Sequence, residues 1–170
     1  MNSQEMDCLL KNDIVIRKKY TNSIYSYDEL PEQLMDNKFY ICNTKSSTHD
    51  YKSLPGHWIC YLNYTTALVY VDSLALYPEP QFLPSMLSLK KPIFYLNLQL
   101  QNWEKSTSCG LHCLTWVTCF AYDLYPDAIL NYVYKYDTVD FSKNPYFYDK
   151  RASEFVQCYF GESRPIFYDP

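Results

Sequence analysis

Residues 56–73 read GHWICYLNYTTALVYVDS. Two runs rich in β-branched and aromatic residues, 57–63 and 67–73, lie around the polar tetrad NYTT, a pattern that predicts an antiparallel hairpin. With that turn, facing residues have numbers totalling 129. His57 then faces Asp72 on one side of the sheet, with Cβ atoms ~5 Å apart. A one-residue slip would send the two to opposite faces. An imidazole beside a carboxyl group at a sheet end is the arrangement that orients a general base. An exposed ion pair at the foot of a hairpin is the plainer reading of the same residues.

Upstream, KFYICN at 38–43 alternates as a strand, and SYDELPEQLMDN at 26–37 predicts a short helix capped by Ser26 or Asp28, with Pro31 in its first turn. Residues 44–56 form a polar loop. Downstream, prolines 78, 80 and 84 make 78–88 an irregular connection with one helical turn. PIFYLNL at 92–98 predicts a strand, and QLQNWEKSTS at 99–108 a polar stretch. A strong helix runs from Cys109 to about Asp123, a second starts at Pro126, and a third covers 148–159. No element is assigned before residue 26. Strands first and helices afterwards predict an α+β fold, a mixed sheet packed against helices, in a single domain spanning 1–170.

The chain has 170 residues, 48% hydrophobic and 20% charged, as a globular domain does. Net charge is −4 and the pI is near 5.3, which excludes a strongly basic nucleic-acid domain. No apolar run reaches the ~18 residues of a membrane span. The opening MNSQEMDCLLKND lacks the basic-then-apolar layout of a secretory signal. The expectation is a soluble, intracellular protein, not secreted and not membrane-bound. Seven scattered cysteines, an odd number without a CxxC pair, are read as reduced thiols. Cys109, His112 and Cys113 are too crowded for a tetrahedral zinc site, so no metal is expected. Glycines number only three, against ~12 at average usage of ~7%. Gly56 and Gly110, beside His57 and Cys109, are therefore expected to serve a close backbone approach or unusual φ/ψ.

Cys109, Cys113, Trp116 and Phe120 share one face of the predicted helix. The last three read as core, since buried cysteine behaves as a small hydrophobe. Cys109 opens the helix, where free N–H groups and the dipole favour a thiolate and the Cys109 N–H is placed to hold an oxyanion. By itself, such a cysteine is more often core or cap than nucleophile. Together with His57 and Asp72 it completes the set of thiol, base and orienter that nucleophilic catalysis requires. A side-chain amide for the oxyanion is offered by Gln99, Gln101 or Asn102.

The order His, Asp, Gln, Cys-Gly resembles that of the adenovirus endopeptidase (adenain) and of the ubiquitin-like-protein-specific proteases. The matching words are PGHWICYL at 55–62, VYVDSL at 69–74, LQNWEKSTSCGLHCL at 100–114 and, more weakly, FYICNT at 39–44. The resemblance covers residues 25–135 and is strongest to adenain-like proteases of large DNA viruses and virus-like transposons. It implies an α+β fold with the thiol-bearing helix packed on the sheet, and a cysteine endopeptidase. His57 would be the general base, Asp72 its orienter, Cys109 the nucleophile and Gln101 the oxyanion donor. Trp58 would support the wall of the site, and Gly110, in the family's Cys-Gly, would adjoin bound substrate.

Two departures stand out. Eight residues separate Gln101 from Cys109, one more than in the family, which keeps Gln99 and Asn102 open. Adenain's glutamate orienter is replaced by Asp72, as in the ubiquitin-like branch. The expected substrate is a polypeptide, either viral precursor proteins or ubiquitin-like modifiers, held in a narrow groove that favours small residues before the scissile bond. An activating peptide or nucleic acid enters as a partner by family analogy only. No cysteine lies between Cys60 and Cys109 to hold such a peptide by a disulfide, and the low pI argues against stimulation by DNA. No cofactor is expected. A viral protein of this kind would act in the host nucleus or the virion, in maturation. The alternatives are a deubiquitinase or modifier isopeptidase, and an inert structural virion protein that retains the fold.

Overall fold

The inner strands are apolar almost without interruption because both faces of their sheet are covered. The computed structural model describes residues 1–48, 56–104, 106–136, 140 and 143–161. Its five strands are β1 (Tyr20–Ser26), β2 (Lys38–Asn43), β3 (Trp58–Asn63), β4 (Leu68–Val71) and β5 (Ile93–Tyr95), hydrogen-bonded in that order. The outer pairs, β1–β2 and β4–β5, are parallel, and the inner pairs are antiparallel. Phe39, Ile41, Cys60, Leu62, Val69 and Val71 enter a core shared with the helices. Alternate residues Tyr40, Cys42, Ile59, Tyr61, Leu68 and Tyr70 enter a second core with Leu34, Phe82 and Met86. Strands buried on both sides lose the apolar–polar alternation of a one-sided sheet.

Among the described residues, six helices accompany the sheet: α1 (Ser3–Asn12), α2 (Ile14–Lys19), α3 (Leu83–Leu87), α4 (Cys109–Ala121), α5 (Pro126–Ala128) and α6 (Phe147–Phe160). The fold is α+β, a five-stranded mixed sheet packed with helices. Helix α4 is the central one. All of its residues except Leu111 are buried, and it packs on β2 and β3 and against α2 and α6. A π-helical turn, Ile129–Tyr134, continues from α5 and ends at Lys135 in the left-handed region. Among the described residues, no helix is long and apolar enough to cross a membrane.

The N-terminal segment, left without elements in the sequence reading, folds for local reasons. Asn2 and Glu5 form a reciprocal capping box at α1, with both backbone-to-side-chain bonds at 2.9 Å. Met6, Leu9 and Leu10 bury one face of that helix. The Asp13 side chain then caps α2 through Val15 and Ile16 N–H.

Several expectations need correction. The helix at 26–37 is absent. Ser26 ends β1, a single 3₁₀ turn covers Tyr27–Glu29, and the chain is irregular to β2. Glu29 accepts from Ser26 N–H, so the capping signal is real, but it closes one turn before Pro31. The predicted strand at 92–98 shrinks to Ile93–Tyr95, and β4 stops at Val71, where Asp72 begins a turn. The helix at Pro126 is three α-helical residues followed by the π turn. Within the polar loop at 44–56, residues 49–55 lie outside the described residues.

The hairpin register also differs. Cys60 faces Val71 and Asn63 faces Leu68, so facing numbers total 131 and the turn comprises Tyr64–Ala67. The slip is two residues, an even number, and leaves every side chain on its predicted face. His57 and Asp72 are therefore diagonal rather than directly opposed.

The burial pattern sets an expected outcome. Trp116→Ala, at a fully buried position, should cost ~3–5 kcal/mol in urea denaturation. Tyr132→Ala, at a position 79% exposed, should stay within ~0.5 kcal/mol of the parent.

Candidate active site

His57 and Asp72 each sit one residue outside a strand. The β2–β3 ladder continues past Trp58, with Thr44 N–H donating to His57 O (2.9 Å) and His57 N–H donating to Thr44 Oγ1 (3.2 Å). These bonds hold the His57 backbone firmly at the sheet end. Across the end of β4, Asp72 Oδ1 lies 2.8 Å from His57 Nε2 and also accepts from Leu74 N–H at 2.8 Å. Asp72 is buried and the imidazole largely so. The diagonal offset is no obstacle, because diagonal neighbours ~7–8 Å apart remain within reach of long side chains.

The second ring nitrogen, Nδ1, is left for Cys109. The Cys109 side chain is a hydrogen-bond partner of the imidazole. Cys109 is the first residue of α4 and is buried. A helix start leaves backbone N–H groups without intrahelical partners and places positive potential there. Burial opposes a charge on the ring, but the hydrogen bonds to Asp72 and Cys109, with the negative charge of both, overcome it. They push the His57 pKa up to about 10. A ring so placed keeps its second proton at neutral pH.

Gln101 reaches the same place from the β5–α4 connection. Its backbone N–H and that of Leu100 both donate to Ser73 O at 2.8 Å. Ser73 Oγ donates to Gln101 Oε1 at 2.7 Å, and Gln101 Nε2 donates to Ser106 O at 2.8 Å. The side chain is thus buried and held at both ends. An amide NH₂ has two hydrogens, and the Ser106 carbonyl takes one. The other candidates are placed differently. Gln99 Nε2 donates to Gln101 O, Asn102 Oδ1 accepts from Glu104 N–H, and neither residue lines the cleft. β5 ends at Tyr95, so no strand reaches Gln101; it is the Ser73 anchor that aims it.

These side chains meet in a cleft of about 770 Å³. His57, Trp58, Gln101 and Cys109 line one part of it, and Met1, Asn2, Tyr25, Glu29 and Asn43 line others. Trp58 therefore lies in the wall. Gly110 does not line the cleft; a Cβ there would make ordinary contacts with Met1, Met6 and Trp58 at 3.4–3.7 Å. Its φ is not positive either, so the expectation of a special backbone at Gly110 is corrected. At Gly56 the need is real: a Cβ would lie 2.0 Å from Asn43 Oδ1, the acceptor of Lys45 N–H.

Burial pushes the Cys42, Cys113 and Cys119 thiols up. Cys113 also hydrogen-bonds Cys60 beneath the site. His112 lies buried between Asp149 and Tyr134 (2.8 and 2.9 Å). Among the described residues, no group of three His, Cys, Asp or Glu side chains could hold a metal ion. The sequence reading missed Asp149, Ser73 and Ser106; no local motif surrounds them, and only the fold brings them to the site.

Fold and cleft together describe an α+β protein with a thiol, an imidazole, a carboxyl group and an amide converging at a helix start. Compared with known proteins, the chain is matched by no family model and by no curated protein.

Two outcomes are expected. Gly56→Ala should lower stability by ~1–3 kcal/mol, whereas Gly110→Ala, at a helical position with ordinary contacts, should match or exceed the parent by up to ~1 kcal/mol; thermal melts compare them. The His57 ring resonances should titrate near pH 10, and Asp72→Asn should lower that midpoint in an NMR titration. Because the folded pKa is raised above the ordinary 6.5, this pair's stabilisation is complete below about 6.5 and is lost as pH rises through about 10.

Proposed function

We propose that the protein is a cysteine endopeptidase of the adenain-like kind, cleaving polypeptide precursors. The supporting observation is the continuous contact Asp72–His57–Cys109, with a 2.8 Å bond at its first link and the thiol at the start of α4. Gln101, anchored at both ends beside it, supplies the fourth group.

In this reading the Cys109 thiolate attacks the scissile carbonyl carbon and a C–S bond forms. The carbonyl oxygen takes up the negative charge and is met by the free Gln101 Nε2 hydrogen and the Cys109 N–H. As the tetrahedral intermediate collapses, the C–N bond breaks and His57 Nδ1 gives its proton to the departing amine. A water then attacks the thioester carbonyl, with His57 accepting its proton. The C–S bond breaks, the new carboxyl terminus leaves, and the thiolate–imidazolium pair is restored. Asp72 holds Nε2 throughout, fixing the tautomer that presents Nδ1 to sulfur. Maturation of a virion or a virus-like element follows from the resemblance of residues 25–135 and is part of the proposal.

The variants rank the roles. Cys109→Ala should reduce hydrolysis to background while Cys113→Ala stays active. Asp72→Asn should keep the fold and lose up to ~10⁴-fold in kcat. Gln101→Ala should lose ~100- to 1,000-fold, with Gln99→Ala close to the parent. Mass spectrometry of a co-expressed structural precursor, set against a modifier C-terminal coumarin substrate, separates an endopeptidase from an isopeptidase. Full activity in Cys109→Ala would overturn the assignment.

A further inference from the structure

A second polar assembly adjoins the start of α4. Ser108, the residue before Cys109, donates its hydroxyl to Asp149 Oδ1. His112 Nε2 lies 2.8 Å from the same oxygen, and His112 Nδ1 lies 2.9 Å from the Tyr134 hydroxyl. Asp149, His112 and Tyr134 are all at least 97% buried. Three separate segments therefore converge there: α6 brings Asp149, α4 brings His112, and the π turn after α5 brings Tyr134.

This assembly is continuous with the oxyanion side of the cleft. Ser108 Oγ is 2.7 Å from Ser106 Oγ. Since the Ser108 hydrogen goes to Asp149, Ser108 Oγ accepts here and Ser106 donates. The Ser106 carbonyl in turn receives Gln101 Nε2. The polarity runs one way, Ser106 to Ser108 to Asp149, because the last member only accepts. Asp149 Oδ2 is buried with no hydrogen-bond partner among the described residues. Leaving a buried polar atom unpaired is unfavourable, so a carboxyl group here is retained at a cost to stability. A purely structural link would be served as well by a serine or an apolar contact.

We propose that Asp149 is a positioning residue for the reaction, acting through Ser108 and Ser106 on the Gln101 amide. As terminal acceptor it sets the direction of both serine hydroxyls. These fix the 106–108 segment, and with it the carbonyl that aims Gln101 Nε2. Asp149 itself touches no reacting atom. The inference rests on the peptidase reading above.

The test is a double-mutant cycle on the full chain, with a fluorogenic peptide amide carrying Gly-Gly before the scissile bond. Ser108→Ala cuts the link while leaving Asp149 paired with His112, and Asp149→Leu removes the terminal acceptor. Each is expected to lower kcat ~10-fold with KM within about 2-fold. Neither should lower it further in a Gln101→Ala background. Ser108→Thr, which keeps the hydroxyl, should restore turnover. Alkylation of Cys109 by iodoacetamide needs no oxyanion donor and should stay within about 2-fold of the parent. Losses that persist undiminished in Gln101→Ala, a Ser108→Thr as impaired as Ser108→Ala, or unaltered turnover in Ser108→Ala would each overturn the proposal. Should Asp149→Leu fail to fold, Ser108→Ala and Ser108→Thr carry the test. A parent protein that hydrolyses no probe, with Cys109 alkylated no faster than the exposed Cys8 and Cys158, would instead overturn the peptidase reading itself.

Discussion

The turn at Asp72–Ser73 is where sheet and cleft are joined. One residue gives its carboxyl group to His57, and the next gives its carbonyl to the backbone of Leu100 and Gln101 and its hydroxyl to the Gln101 side chain. Two groups with different tasks are thereby set by adjacent residues of one turn. That turn is stiff for local reasons: Asp72 Oδ1 accepts from Leu74 N–H, Asp72 O accepts from Ala75 N–H, and Ala75 adopts a left-handed conformation. A displacement of the end of β4 would move orienter and amide together, leaving their relation intact and changing only their distance from α4.

Helix α4 answers this constraint from the other layer. It is almost wholly buried, and its first turn is fixed by the sheet below and by Asp149 of α6 beside it. Burial on all sides removes rotational freedom, since no polar stripe can turn to solvent without exposing core. The thiol at its start is therefore located by many non-directional contacts, and the imidazole by a few directional bonds. The two sets meet at one sulfur.

How much could be read in advance depended on whether the cause was local. Strand β2 and the start of α4 follow from short patterns, and both stand where those patterns put them. The capping box at Asn2 and Glu5, followed by Met6, Leu9 and Leu10, is an equally short pattern, and it too is local in cause. Strand β1 was not legible: YTNSIYS is polar, Asn22 has positive φ, and the pairing with β2 shifts register between Tyr20 and Ile24. The hairpin register was misread by two because turn length, not strand composition, sets it. The face survived since two is the period of the strand. Gln101 was preferred for its neighbours in sequence, whereas its aim comes from Ser73, 28 positions away. Asp149 is further still from the residues it serves, and nothing around it in the chain marks it out.

The dependence of Ser108 on Asp149 also has a temporal side. During synthesis Cys109, His57 and Gln101 are all made before α6 is. At roughly 5–20 residues per second, several seconds pass before the residue that braces the start of α4 is made. Throughout that interval the nascent chain carries every group that lines the cleft without the support that holds the 106–108 segment. Assembly of the cleft is thus tied to the arrival of α6 and not to the appearance of Cys109, His57 and Gln101.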